Sequence, residues 1–328
     1  TLRQKKRRFV SALMAFAIAF QMTAYATVSM SGPGTQETAA ANNTTVSTNS
    51  TTTGTGTSKI AEPTIQSEGA VVIDAATGTV LYGKNQNTRY YPASITKLMT
   101  ALLVAENCSL DDTVTFSYNA VNNLEPNSTI LGARAGDTLS VRDCLYALLL
   151  QSANEVANAL AEHCSGDIES FAELMNRKAE SLGCTDSHFA NPSGLNDENH
   201  YTSAHDMALI AQAAFNNPTF VEIDSTTYYD VQPGQLVQYP DGWRYYAHHR
   251  MMKKNDSVYY DGIIGGKTGY TSLAGNTLVT CAERDGLKLI TVVLNGHQTH
   301  YDWISVLKIS RPLPSRIKKI PIRKLKTI

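Results

Sequence analysis

What the chain lacks narrows it before any motif is read. Its five cysteines, Cys108, Cys144, Cys164, Cys184 and Cys281, include no C-x-x-C pair, and no H-E-x-x-H occurs, so the usual spacings of zinc ligands are missing. The Gly-Thr-Gly at 54–56 is not followed by Gly-Lys-Ser/Thr, which removes a phosphate-binding loop there. No window repeats at a solenoid period. Acids are absent from residues 1–26 and 308–328, yet those two segments hold 13 of the 28 lysines and arginines. Residues 27–307 therefore carry 15 cations against 29 acids, a net charge of −14. A body this acidic speaks against nucleic acid as a partner.

What is present divides the chain into four parts. A basic cluster (Arg3, Lys5, Lys6, Arg7, Arg8) precedes the apolar run Phe9–Phe20, and Ala24-Tyr25-Ala26 gives small-x-small before Thr27. That order predicts a secretory signal peptide over residues 1–26 and an extracytoplasmic, cell-envelope or secreted location. The apolar run is shorter than the roughly 18 residues of a spanning helix; an uncleaved signal anchor stays open as the alternative. Residues 27–58, dominated by Ser, Thr, Asn, Gly and Ala, bury too little apolar surface to fold and read as a flexible linker. A folded domain is expected over 59–300, followed by a basic tail at 301–328 with no recognisable β-rich domain. The tail offers its cations to an anionic membrane surface or wall polymer.

Within the body, Ala70–Asp74 and Thr79–Tyr82 read as a hairpin turning at Gly78. Helical patterns follow over Ala93–Glu106, Ser140–His163, 167–182 and His205–Phe215, the third ending at Gly183. Leu278–Ala282 and Leu287–Leu294 flank Glu283-Arg284-Asp285-Gly286 as a second hairpin. Strands at both ends with helices between predict an α+β fold, in which one antiparallel sheet made from both ends packs on helices.

Three short motifs stand out. Ser94-Ile95-Thr96-Lys97 opens the first helix, and residues at i and i+3 share a helix face, so the Lys97 amine can serve the Ser94 hydroxyl as a base. By itself the motif is cheap: Ser305–Lys308 and Ser315–Lys318 repeat it without context. Ser152-Ala153-Asn154 interrupts the apolar Leu148-Leu149-Leu150 stretch with polar side chains. Such an interruption marks either a site or a bend in the helix. Lys267-Thr268-Gly269, after Gly265-Gly266 and before Tyr270-Thr271, suits a carboxylate: ammonium for charge, hydroxyl for a hydrogen bond, glycine for a close approach. The competing reading is a Gly-rich turn with a solvated lysine. His248-His249 and His297–His300 come nearest to ligand spacing, but read as solvated loop histidines. The paired tyrosines at 228–229, 245–246 and 259–260 read as strands and a cleft wall. The cysteines read mostly as small buried residues, with room for one disulfide that spacing does not identify.

In the order S-x-x-K, S-x-N, K-T-G the chain resembles the penicillin-recognising serine enzymes, and among them the D-alanyl-D-alanine carboxypeptidases, the low-molecular-mass penicillin-binding proteins. The resemblance spans residues 60–297 and includes Tyr91–Thr100, Leu148–Glu155, Asn191–Leu195, His200–Ala208 and Gly266–Gly275. It implies a β-lactamase/transpeptidase-like fold with the S-x-N motif in a helical subdomain. It implies Ser94 as nucleophile, Lys97 as proton acceptor and Ser152 as proton relay. Asn154, Lys267, Thr268, Gly269 and Tyr270 are implied in substrate binding, and the N–H groups of Ser94 and Tyr270 as oxyanion hole. No metal or cofactor is implied. The substrate implied is the peptidoglycan stem peptide, with β-lactams as covalent inhibitors. The alternatives are a D,D-endopeptidase, a serine β-lactamase using Glu173 for deacylation, and a non-catalytic wall-binding module.

Overall fold

The computed structural model describes residues 64–296; the predicted signal peptide, linker and basic tail, His297 and His300, and the two repeats of S-x-x-K lie outside them. Among the described residues nine strands form: β1 (Gly69–Asp74), β2 (Val80–Lys84), β3 (Thr113–Thr115), β4 (Thr138–Ser140), β5 (Tyr228–Val231), β6 (Trp243–Tyr246), β7 (Ile263–Thr271), β8 (Gly275–Arg284) and β9 (Leu287–Gly296). The principal sheet runs β2-β1-β9-β8-β7 with every neighbour antiparallel. It is built from both ends of the body, as the sequence predicts, with Val71 opposite Val292. The β8–β9 turn places Asp285 and Gly286 at φ 54° and 75°. That is the two-residue type I′ geometry which Asp-Gly favours and which matches the strand twist.

Side-chain alternation gives the sheet two buried faces. Val71, Ile73, Val279, Ile290 and Val292 enter the main core; Ala70, Val72, Leu278, Leu289 and Val293 enter a smaller one closed by Met251, Val258 and Tyr260. The main core is completed by helices α1 (Lys97–Asn107), α2 (Tyr118–Asn122), α3 (Val141–Tyr146), α4 (Asn154–Ser165), α5 (Ile168–Ser181), α6 (Ala204–Phe215) and α7 (Pro218–Asp224). Residues 97–104 of α1 are buried on every side, and Leu98, Met99, Leu102 and Val104 are fully so. Each such side chain contributes about 1.5–3 kcal/mol through burial. The S-x-x-K end of α1 is therefore fixed by the core behind it. Helix α5 follows its predicted amphipathic pattern, starting where the Asp167 side chain accepts from Ser170 N at 2.6 Å.

One expectation is corrected. Ser140–His163 is not one helix: α3 runs into a π-helical turn at Ala147–Gln151, Ser152 takes the left-handed conformation (φ 63°, ψ 30°), and α4 begins at Asn154. A π turn inserts a residue without exposing the apolar side, so hydrophobic periodicity does not register it. The backbone opened by the break is satisfied from another segment, Asn154 N donating to Thr129 O at 2.9 Å.

Candidate active site

Ser94 lies in a 3-10 turn, Ala93–Thr96, that leads into α1. The residue before it, Ala93, has φ 52°, a strained backbone for a residue with a side chain. Several contacts hold the turn in place. Thr96 Oγ1 is 2.8 Å from His200 Nε2, and Thr277 on β8 donates to Pro92 O at 2.8 Å. Gly194 (φ 87°) packs so closely that a Cβ there would sit 1.9 Å from Ala93 O.

Lys97 is fully buried with three neighbours: Ser94 Oγ at 3.1 Å, Asn154 Oδ1 at 2.6 Å and Ser193 O at 2.6 Å. The Ser193 carbonyl is aimed by a local turn, in which Asn191 Oδ1 accepts from Ser193 N, Ser193 Oγ and Gly194 N. Burial first, and then the charge of Lys267, hold the Lys97 amine well below the usual lysine range; Glu155 opposes them weakly.

Lys267, equally buried, reaches the same place from β7. Its Nζ donates to Ser152 Oγ at 3.0 Å and to Thr268 O at 2.8 Å. Burial pulls its pKa down to about 7, against the charge of Asp224. Asp224, at the end of α7, is itself buried and pushed up to about 7, chiefly by burial; Gly266 N donates to it, while Oδ2 has no partner.

The structure thus brings all eight sequence-predicted site residues to one place. Ser94, Ser152, Asn154, Thr268, Gly269 and Tyr270 line a cleft of about 680 Å³, with Lys97 and Lys267 buried beneath it. The K-T-G motif is strand, not turn. Gly269 is needed differently from the expectation, because what approaches it is protein: a Cβ there would lie 2.8 Å from Ser94 N and 2.4 Å from Thr277 Oγ1. That contact places the Ser94 N–H beside the Gly269-Tyr270 backbone.

The sequence reading missed several residues. His200 is buried; Ala190 N donates to its Nδ1, and burial lowers its pKa to about 3, so it is a neutral strut under Ser94. The cleft's other wall, Glu125–Thr129, lies opposite β7. Both Glu125 oxygens accept from Asn196, whose Oδ1 takes the Thr271 hydroxyl. Glu155, buried, supports the following loop by accepting from the N–H groups of Leu131, Gly132 and Ala133. Polar residues inside an apolar helix (Asn154-Glu155) were the available signal; Asp224 gave none.

Two further expectations are corrected in part, and one alternative loses its support. His248 is exposed, as expected, where it lines the cleft, whereas His249 is not solvated but buried, its Nε2 2.9 Å from Thr280 Oγ1. Of the paired tyrosines, 228–229 and 245–246 lie in β5 and β6, 259–260 lie in no strand, and none of them lines the cleft. Tyr229 instead stacks on Tyr146 at 3.7 Å, and Tyr245 is buried in the core. Glu173 is 76% exposed, pairs with Arg177 on the surface of α5, and is no part of the cleft. Among the described residues no group of three or more His, Cys, Asp or Glu is arranged to hold a metal ion.

Comparison with known proteins agrees with this geometry. The profile of the D-alanyl-D-alanine carboxypeptidase family matches residues 56–298. The D-alanyl-D-alanine carboxypeptidase DacF of Bacillus subtilis is 33% identical over 238 residues, covering 70% of this chain and 58% of that protein. DacA of Escherichia coli is 31% identical over 242 residues, covering 71% of this chain and 57% of that protein. This chain therefore spans a little over half the length of those relatives. Among solved structures, a Mycobacterium tuberculosis D-alanyl-D-alanine carboxypeptidase superposes with a TM-score of 0.71 at 29% identity, covering 79% of this chain and 96% of that one. A Streptomyces DD-transpeptidase gives 0.70 at 28% identity, covering 77% and 100%. The chain belongs to the D-alanyl-D-alanine carboxypeptidase family.

Proposed function

We propose that the protein is a serine-type D-alanyl-D-alanine carboxypeptidase. It removes the terminal D-alanine from peptidoglycan stem pentapeptides through an acyl-enzyme on Ser94, and β-lactams acylate the same serine. The observation that carries this reading is the set of partners at Lys97. A neutral amine has two N–H donors and one lone pair. Asn154 Oδ1 and Ser193 O, each at 2.6 Å, take the two donors, and the lone pair is left for the Ser94 hydroxyl at 3.1 Å. Burial favours that neutral form.

In this reading the Ser94 hydroxyl passes its proton to Lys97 as Oγ bonds to the carbonyl carbon between the two D-alanines. The oxyanion is received by the N–H groups of Ser94 and Tyr270, donors worth about 3–4 kcal/mol each in comparable sites. The proton then moves by way of Ser152 to the leaving amine, and D-alanine departs. Lys267, with two N–H groups engaged on Ser152 and Thr268, keeps its third for the terminal carboxylate, assisted by the Thr268 hydroxyl. Asn154 orients Lys97 and the substrate amide, and Gly269 lets β7 lie against Ser94. Water hydrolyses the acyl-enzyme. The remaining parts of the proposal are export by residues 1–26, a linker at 27–58, a catalytic domain at 59–300, and a tail at 301–328 that contacts an anionic envelope surface.

A time course of intact mass with penicillin, beside an assay of D-alanine release, tests the reading. A lasting adduct on Ser94 and release of D-alanine are expected, with both abolished in Ser94→Ala. Return of unmodified protein as the drug is consumed makes the chain a β-lactamase, cleavage of cross-linked peptides alone makes it an endopeptidase, and a folded sample with neither activity makes it a binding module.

A further inference from the structure

Helices α1 and α4 both start at the cleft, with Lys97 and Asn154 in their first turns, and both end at a cysteine away from it. Cys108 is the residue that closes α1, and Cys164 lies in the last turn of α4. The two thiols face each other closely enough to hydrogen-bond, and both are half-buried against the main core. A neighbouring contact independently places these two helix ends together: His163 Nε2 lies 3.8 Å from Asp112 Oδ2. The other three cysteines lie elsewhere. Cys144 and Cys281 are fully buried, and the Cys184 thiol is 3.6 Å from the Asp206 carbonyl.

We infer that Cys108 and Cys164 form a disulfide that ties together the far ends of the two helices presenting Lys97 and Asn154. The oxidant is a disulfide of another molecule, a thiol–disulfide oxidoreductase or an oxidised low-molecular-weight thiol, and the reaction is exchange. One thiolate attacks the incoming disulfide, forming a mixed disulfide and releasing one reduced thiol. The second cysteine then attacks the protein sulfur of that bond and releases the other. Two protein thiols are oxidised, one external disulfide is reduced to two thiols, and the two protons pass to the departing thiolates. The two thiols share a hydrogen bond, and whichever of them loses its proton attacks first. Because one face of each thiol is open, an oxidant can reach the pair, which it cannot do at Cys144 or Cys281.

The full-length purified protein, folded and fully reduced, is incubated with oxidised glutathione and its free thiols are then alkylated before mass spectrometry. The expected result is the loss of two hydrogens, a linked peptide joining Cys108 to Cys164, and alkylation of Cys184 alone unless the protein is denatured. Oxidation should raise Tm by about 5 °C, since the bond closes a long loop in the unfolded chain. That redox-dependent rise should vanish in Cys108→Ser and in Cys164→Ser, while acylation of Ser94 by penicillin continues in both. Two alkylated thiols at 108 and 164 after oxidation, persistent glutathione adducts on either, or a different linkage would overturn the inference. Failure of acylation in every sample would count against the proposed activity and leave this inference standing.

Discussion

The helical side and the sheet side of the site each hold one buried lysine beneath the cleft, and they treat it in opposite ways. On the helical wall, Lys97 faces neutral acceptors, Asn154 Oδ1 and Ser193 O, and a nearby cation. On the sheet wall, Lys267 has a buried carboxylate behind it, Asp224, which supports its charge. In the proposed mechanism the same side chain thus serves as a base on one wall and as a receptor for an anion on the other. What differs is the set of groups around each amine. Burial alone lowers both lysines, because a charged amine is costly to desolvate wherever it sits. A fixed counter-charge decides how far each falls.

The comparison breaks most visibly at Lys97. Lys97→Met should slow acylation by penicillin by about 10³–10⁴-fold, the size of a lost general base, with the fold retained. Acylation within tenfold of wild type would show that some other group takes the Ser94 proton. Lys267→Gln should cost about 10–100-fold in kcat/KM for peptides ending in a free carboxylate, the value of one charge-assisted hydrogen bond. C-terminally amidated analogues should lose much less, and equal losses on both would remove the carboxylate role.

A subtler test sharpens the contrast through pH. If Lys97 works as the neutral amine, as proposed, the rate should fall on the acid side as it takes up a proton. If Lys267 works as the ammonium, carboxylate binding should be present below about pH 7 and weaken as pH rises through it. Asp224→Asn should move that alkaline limb of kcat/KM to lower pH by about one unit, with less than threefold loss at pH 6. The stability effect has the opposite sign. A buried acid whose pKa rises from 3.8 to about 7 on folding destabilises the native state progressively as pH climbs through that window. Asp224→Asn should therefore raise Tm at pH 8 while weakening substrate binding there. An unmoved pH limb would reduce Asp224 to a packing residue.

Legibility followed the range of the interaction that fixes each feature. The β1–β2 and β8–β9 hairpins and helix α5 could be read in advance because each depends on residues within a few positions: Gly78, Asp285-Gly286, and Asp167 with its apolar stripe. The break after Gln151 was half legible. Polar Ser152 and Asn154 signalled it, but the backbone donor it opens, Asn154 N, is satisfied by Thr129 from another segment. His200 and Asp224 could not be read as site residues. Nothing local to either indicates that a turn or a strand far along the chain will bury it and leave it neutral or half-titrated.

By itself, then, the sequence determined the chemical inventory: two serines, two lysines, an asparagine and a glycine, in an order and spacing that place each on a helix start, a helix break or a strand. Only the tertiary structure decided their electrical states and contacts. Pairing β1 with β9 and laying β7 against the turn at Ser94 draws together groups separated by up to 175 positions, from Ser94 to Gly269. It also removes them from water, and in that low-dielectric interior neighbouring charges and carbonyls decide which amine holds its proton.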